Sequence, residues 1–159
     1  MGKIRELYPE LYPGAEYHVG SRINRGEKIF NDPAARELFA DVLERVKKKY
    51  KFHLRNLCLM SNHFHIIIQP EKQESLPRIM QWLKSVFAKE WNKMTSSEGV
   101  LWGGVYFSRI IRDFIDFVRT FIYIDENPVR AGLVRHPSDW KYGRLWERIK
   151  GMLEIFMPP

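Results

Sequence analysis

The arrangement of apolar and polar residues along the chain predicts four strands and three long helices. Short β-branched or alternating stretches are typical of strands, and longer stretches with apolar residues at helical spacing are typical of helices. The expected elements, in chain order, are a strand at 16–22, a helix from Pro33 to about Tyr50, strands at 52–60 and 63–69, a helix from Leu76 to Met94, a strand within 101–111, and a helix that starts near Arg112 or Asp113 and stops before Pro128. Beyond Gly132, only a short helix near 145–153 is expected.

This order of elements, β-α-β-β-α-β-α, predicts an α+β fold. Its first six elements match the ferredoxin-like βαββαβ arrangement, in which a four-stranded antiparallel sheet carries helices on one face. The seventh element would be an additional C-terminal helix. Because the chain shows no internal repeat, low-complexity stretch or linker, we expect a single domain over residues 1–159, with a core at about 16–134 and a C-terminal extension at 135–159.

Composition and charge narrow the classes of protein. The chain has 159 residues, of which 45% are hydrophobic, which is enough for a folded core. Its formal net charge is +7, which favours a polyanionic partner such as nucleic acid. No apolar stretch approaches the roughly 20 residues of a membrane helix, and no signal peptide is visible, so we expect no membrane partner and a cytoplasmic protein. The single Cys58 is expected to be a small buried apolar side chain.

Two histidines stand on one face of the third predicted strand. Side chains alternate between the two faces of a strand, so His63 and His65 point to one side. The residues that alternate with them form an apolar face that can be buried: Phe64, Ile66 and Ile68. Imidazole is the commonest metal ligand in proteins, and two on one face can hold one ion. Two partly exposed histidines at a strand end would give the same pattern, so the pair alone leaves both interpretations open.

The last helix carries a tyrosine away from its apolar residues. Helical geometry places its apolar residues in one stripe, formed by Phe114, Phe117, Val118 and Phe121. Tyr123 lies roughly 160° from the centre of that stripe. Asn127 follows it one turn later on the same side. A surface tyrosine and a helix-ending asparagine would also fit this pattern.

Several arginines lie in predicted loops and at strand ends, where a guanidinium suits phosphate better than it would on a solvated helix face. They are Arg22, Arg25, Arg109, Arg112, Arg130 and Arg135. Trp102 stands beside two glycines, and either a core position or a base-stacking position fits it.

Four segments together resemble a known family. They are Tyr17-His18-Val19 with Arg22, the segment 58–65 ending in His63-Phe64-His65, Leu101-Trp102-Gly103-Gly104, and the segment 123–134 that begins Tyr123-Ile124-Asp125-Glu126-Asn127-Pro128. The chain resembles the single-tyrosine (Y1) HUH transposases of the IS200/IS605 type, and most closely the REP-associated tyrosine transposases. The resemblance runs in order from about Glu16 to Asp139.

The resemblance implies a function and a set of site residues. It makes Tyr123 the nucleophile on a catalytic C-terminal helix, and His63, His65 and Asn127 the ligands of a divalent ion, Mg²⁺ or Mn²⁺. The implied activity is cleavage and rejoining of single-stranded or hairpin DNA through a 5′-phosphotyrosine intermediate. The expected DNA contacts are Arg22, Arg25, Trp102, Arg109 and Arg130.

Two other functions remain open from the residues themselves. One is a single-stranded nucleic-acid-binding module without chemistry, and the other is a metal-dependent phosphodiesterase that uses water as its nucleophile.

The position of Tyr123 also leaves the assembly open. If the apolar stripe packed on the sheet, the hydroxyl of Tyr123 would point away from His63 and His65. Either the helix crosses the open sheet face under C-terminal cover, or it swaps onto the site of a partner. The single-copy relatives favour the first arrangement, so we expect a monomer, with a dimer possible. The apolar residues that could supply the cover are Trp140, Leu145, Trp146, Ile149 and Leu153.

Overall fold

Four antiparallel strands form one sheet in the order β2-β3-β1-β4. The structure is a computed structural model that describes residues 12–140 and 151–152. Its strands are β1 (Tyr17–Arg22), β2 (Phe52–Leu59), β3 (His63–Pro70) and β4 (Phe107–Ile110), and its helices are α1 (Pro33–Lys49), α2 (Leu76–Thr95), α3 (Phe114–Asp125) and α4 (Asn127–Arg130). Short 3-10 turns occupy Asn24–Gly26, Ile29–Asn31 and Pro137–Asp139. The strand order and connections confirm the predicted ferredoxin-like α+β fold.

Local chemistry explains where the helices begin and end. The Asp32 carboxylate accepts a hydrogen bond from the Ala34 N–H at 2.9 Å, and Pro33 occupies the first turn of α1. The last turn of α1 carries three lysines, whose charges complement the helix dipole. Ser75 caps α2 through the N–H of Arg78. Within residues 12–140 and 151–152, no helix is both long enough and apolar enough to cross a membrane.

The main core lies between one face of the sheet and helices α1 and α2. Phe64, Ile66 and Ile68 of β3 are buried on this side, as their alternation with the histidines predicts. Aromatic rings fill the centre, and the rings of Phe39 and Phe64 have centroids 5.1 Å apart. Trp102 belongs to the same cluster, so it packs as a core residue.

Helix α3 crosses the opposite face of the sheet, over a smaller apolar cluster of Cys58, Met60, Ile67, Phe117 and Ile124. Polar side chains anchor it at both edges of the sheet. On β4, Arg109 pairs with Asp116 at 2.9 Å and donates to the Thr120 hydroxyl at 2.8 Å. On β2, the Asn56 amide donates to the Asp125 carboxylate at 2.9 Å and to the Phe121 carbonyl at 3.3 Å.

Helix α3 does not pack its whole apolar stripe on the sheet. The side chains of Phe114 and Val118 are 49% and 36% exposed, although both belong to the predicted apolar stripe. The buried side carries one residue of that stripe, Phe117, together with Thr120 and Ile124. Arg109 of β4 holds the Asp116 and Thr120 side of α3 toward the sheet. This orientation leaves Tyr123 46% exposed, at the border between the sheet and solvent.

The C-terminal cover that the sequence predicts is seen only in part. The Trp140 indole packs against both clusters and donates to the Leu59 carbonyl at 3.1 Å. The other four apolar residues proposed as cover, Leu145, Trp146, Ile149 and Leu153, lie outside the described residues. The division into a core and a C-terminal extension therefore stays a prediction.

The anchor on β2 generates a stability prediction. Asn56→Ala removes the amide that satisfies Asp125 and the end of α3 at a site that is 3% exposed. Because the buried Asn56 amide holds the end of α3 through two hydrogen bonds, one of them to a carboxylate, we expect the free energy of unfolding to fall by about 1–3 kcal/mol, measured by urea denaturation. The matched control is Asn31→Ala, an exposed asparagine, which should stay within about 0.5 kcal/mol of the wild type. Equal effects of the two substitutions would contradict the role of Asn56 as an anchor.

Candidate active site

The candidate active site lies on the face of the sheet that α3 crosses. His63 and His65 project from β3 on this face, with ring centroids 5.1 Å apart. The Tyr123 ring of α3 stands edge-on to the His65 ring at 6.1 Å. The structure therefore brings the predicted nucleophile and the predicted metal ligands together within one chain.

A third histidine completes this cluster. His18 of β1 is 6% exposed, and its Nε2 lies 3.0 Å from Nδ1 of His65. Its ring also stands edge-on to Tyr123, with centroids 5.9 Å apart. On the other side, Nδ1 of His63 lies 2.7 Å from the side-chain oxygen of Asn62. Each predicted histidine ligand is thus held through Nδ1 by a neighbouring side chain.

All three imidazoles are held in the neutral form at neutral pH. Burial, followed by the neighbouring His18, His63, Arg22 and Arg130, lowers the pKa of His65 to about 3. Burial, followed by the charge of Arg22, lowers the pKa of His63 to about 4. Burial and then Arg109 lower the pKa of His18 to about 4, against an opposing effect of Asp116. Neutral imidazole is the form that binds metal ions, so this electrostatic setting suits the predicted ligands.

Arg130 covers the outer face of the candidate nucleophile. Its guanidinium carbon lies 4.0 Å from the centroid of the Tyr123 ring, and its Nη2 donates to the Tyr123 backbone carbonyl. A looser ion pair with Glu126 at 3.5 Å holds the same side chain. The arrangement is a cation–π contact that also places a positive charge beside the phenol.

Asn127, the third predicted ligand, opens α4 four residues after Tyr123. Its side-chain nitrogen is buried and has no hydrogen-bond partner among the described residues. Within that part of the chain, no group of three or more histidines, cysteines or acidic residues comes together as a metal site. A set of two histidines and one asparagine is not such a group, and the assignment of Asn127 as a ligand stays a prediction.

A cavity of about 550 Å³ opens beside Tyr123, between β4 and α3. Its lining includes His18, His65, Phe107, Arg109, Asp116, Arg119, Thr120 and Tyr123. The Phe107 ring is half exposed and stands edge-on to His18 at 5.3 Å. Arg119 is exposed at the same opening. A cavity of this size accepts a ligand such as a nucleotide.

Arg130, one of the five predicted DNA contacts, stacks on Tyr123. The other four are either exposed or engaged within the protein. Arg22 and Arg25 are exposed, and Arg22 donates to the Asn62 side chain at 3.4 Å. Arg109 is instead engaged by Asp116 and Thr120, so its guanidinium anchors α3. Trp102 is 7% exposed and donates its indole N–H to the Lys84 carbonyl, which leaves little of its ring for a base. The proposed site therefore does not include Trp102.

Sequence reasoning missed the groups that hold the site residues in place. These groups are Asn62 and His18, and neither is among the predicted site residues. Pairing between β1 and β3 brings His18 next to His65, because Gly20 lies opposite His65 in the antiparallel register. The alternation of His18 with the apolar Tyr17 and Val19 was the available signal, since it places His18 on the face that does not enter the main core.

Comparisons with known proteins show which proteins the chain resembles. A family model described as "Transposase IS200 like" matches residues 12–127. A protein of Haemophilus influenzae, named as a REP-associated tyrosine transposase, is 25% identical over 122 residues, which cover 70% of this chain and 69% of that protein.

Two solved structures share the fold. A REP-associated tyrosine transposase bound to a REP hairpin superposes with a TM-score of 0.76 at 20% identity, covering 100% of this chain and 92% of that one. A crystallised protein of Deinococcus radiodurans R1, described as a transposase, gives a TM-score of 0.53 at 19% identity, covering 77% of this chain and 96% of that one.

The lowered histidine pKa values predict a dependence of stability on pH. Between the unfolded pKa of 6.5 and the lower folded values, the unfolded chain takes up protons that the folded chain does not. The stability of the metal-free protein should therefore fall as the pH drops from about 7 to about 5. His65→Gln should reduce this fall by on the order of 1–2 kcal/mol in urea unfolding, since one titrating group is removed. His136→Gln, at an exposed histidine, is the control. An unchanged pH dependence in His65→Gln would argue against a buried neutral His65.

Proposed function

The chain belongs to the family of IS200-like transposases, and we propose that it cleaves and rejoins single-stranded DNA through a covalent bond to Tyr123. The observation that carries the proposal is the placement of the Tyr123 ring 6.1 Å from His65, a candidate metal ligand, within the same chain.

The proposed reaction exchanges one phosphate ester for another. The Tyr123 oxygen attacks the phosphorus, a new oxygen–phosphorus bond forms to the tyrosine, and the bond from phosphorus to the 3′ oxygen breaks. The proton lost by the phenol is balanced by the proton gained at the 3′ oxygen. The products are a 5′-phosphotyrosine and a free 3′-hydroxyl. Attack by a 3′-hydroxyl reverses the step, so rejoining needs no nucleotide cofactor.

We assign His63, His65 and Asn127 to a divalent ion. The two neutral imidazoles fit such an ion, and the mixed nitrogen and oxygen set suits Mn²⁺ better than Mg²⁺. When bound, the ion would act as a Lewis acid on a non-bridging phosphate oxygen. Arg130, stacked on the Tyr123 ring, adds a fixed positive charge where the phosphate would lie.

The proposed substrate is DNA with a single-stranded part next to a hairpin. The net charge of +7 supports a polyanionic partner. The structural relative bound to a REP hairpin supports a hairpin in particular. In our proposal the strand passes Arg22 and Arg25 and enters the cavity beside Tyr123, where the exposed Phe107 ring offers a stacking surface.

Trapping a covalent adduct tests the nucleophile. We expect wild-type protein with Mn²⁺ and a single-stranded DNA hairpin to give an adduct that survives denaturation and carries its DNA on the Tyr123 peptide. Tyr123→Phe removes one hydroxyl from a half-exposed ring, so it should abolish cleavage while leaving the fold and DNA binding nearly intact. The readouts are gel mobility under denaturing conditions and mass spectrometry of the linked peptide.

Tyr12→Phe, at another exposed tyrosine, is the matched control and should cleave like the wild type. Cleavage that persists in Tyr123→Phe would remove the tyrosine mechanism and favour water as the nucleophile. DNA binding without any cleavage by the wild type would favour the binding module.

The placement of Tyr123 and His65 in one chain also supports an active site that needs no partner. Mixing Tyr123→Phe protein with His63→Ala protein should therefore leave cleavage at the level of either variant alone. Sedimentation of the wild type should give the mass of a monomer. Restored cleavage in the mixture would show a site shared between two chains and would overturn this proposal.

A further inference from the structure

The two candidate metal ligands share a feature that the proposed chemistry alone does not explain. Each imidazole is held at Nδ1, by Asn62 at His63 and by His18 at His65, with distances of 2.7 Å and 3.0 Å. A neutral imidazole carries its proton on one nitrogen and a lone pair on the other. A partner fixed at Nδ1 therefore decides whether Nε2 is free to bind a cation.

In the contact between Asn62 and His63, only the imidazole can be the donor. Its side-chain nitrogen donates to the Gly26 carbonyl at 3.2 Å, which fixes the orientation of the amide. The side-chain oxygen, which also accepts from Arg22 at 3.4 Å, is an acceptor only. His63 must then donate through Nδ1–H, and its lone pair lies on Nε2.

The His18 contact joins two imidazoles, so either ring could donate. If His18 donated, His65 would keep its proton on Nε2 and could not bind an ion through that nitrogen. If His18 accepts, His65 carries its proton on Nδ1 and matches His63. Two adjacent ligands of one ion require this second arrangement.

The backbone beside His65 is shaped for this close approach. Gly20 lies opposite His65 in the pairing of β1 with β3. A Cβ at Gly20 would stand 3.1 Å from Nδ1 of His65, which is tighter than ordinary contacts. A side chain at this position would press on the nitrogen that meets His18, so glycine keeps the hydrogen bond accessible.

We propose that Asn62 and His18 are positioning residues that hold His63 and His65 with protons on Nδ1, so that both Nε2 lone pairs face one divalent ion. The inference rests on the proposed function in that it takes His63 and His65 as the ligands. Neither positioning residue touches the ion itself. They act by fixing the tautomer and the ring orientation of the ligands.

The first test reads the tautomers directly in metal-free protein. Long-range nitrogen–proton correlation NMR of protein labelled with nitrogen-15 histidine, with EDTA and at about pH 7.5, distinguishes the two forms of neutral imidazole. We expect Nδ1–H forms for both His63 and His65 in the wild type. Asn62→Ala should convert His63 to a mixture and leave His65 unchanged, and His18→Phe should do the reverse. An Nε2–H form of either ring in the wild type would overturn the proposal.

The second test measures Mn²⁺ affinity by electron paramagnetic resonance. We expect Asn62→Ala and His18→Phe to weaken binding about 10- to 100-fold, as the loss of an orienting partner does at metal sites. Asn62→Asp keeps an acceptor at the same place and should retain most of the affinity. His136→Ala, at an exposed histidine, is the control and should bind like the wild type.

These readouts separate the inference from the function on which it rests. Unchanged Mn²⁺ binding in His63→Ala would reject the ligand assignment, and with it the role of Asn62 and His18 toward a metal. If His63→Ala loses binding but Asn62→Ala and His18→Phe do not, the ligands stand and the positioning role fails. Circular dichroism monitors folding, and if His18→Phe does not fold, the wild-type tautomer of His65 still decides the question.

Discussion

The anchoring of α3 across the sheet is the constraint on which the candidate site depends. Arg109 belongs to β4 and Asn56 to β2, which are the two edge strands of the sheet. The histidines stand between them, on the central strands β1 and β3. These contacts at both edges set the position of the helix, and the Tyr123 ring lies beside His18 and His65 of the central strands. Arg109 and Asp116 form an ion pair at 2.9 Å. Burial raises the pKa of Asp116, but hydrogen bonds and charge from Arg109 and Arg112 outweigh burial and lower that pKa, so the carboxyl group stays ionised.

The site combines neutral ligands with positive surroundings. Burial keeps the imidazoles uncharged, so they present lone pairs and add nothing to the repulsion between the nearby arginines. Arg22 lies at the His63 end and Arg130 over the Tyr123 ring. Both guanidiniums are held in place by acceptors of the protein, Asn62 for Arg22 and Glu126 for Arg130. In the proposed reaction, positive charge that is already fixed would need little reorganisation when a phosphate binds, which is a usual source of electrostatic stabilisation in phosphoryl transfer.

The sequence predicted the elements of the fold because their signals are local. Alternation along β3 separated the histidine face from the buried face, and the Asp32-Pro33 pair marked the start of α1. The apolar stripe of α3 left the rotation of the helix on the sheet open. The anchors that decide the rotation join Asn56 to Asp125 and Arg109 to Asp116, and such pairs between distant elements cannot be read from the pattern of one helix. The neighbours of His65 depend likewise on the register between β1 and β3.

The link between β2 and β3 shows how the fold and the chemistry share the same residues. The Asn62 carbonyl accepts from the Ile23 N–H at 2.8 Å, and the Ser61 carbonyl accepts from the Phe30 N–H at 3.0 Å. These bonds tie the link to the segment that follows β1, while the Asn62 side chain bridges Gly26 and His63. A substitution at Asn62 would therefore change the surroundings of the His63 imidazole directly, without changing the packing of the core. His63 meets the Asn62 side chain within the hairpin, whereas His65 meets the His18 side chain on the neighbouring strand. The two histidines share one face of β3, yet their Nδ1 partners come from separate parts of the structure.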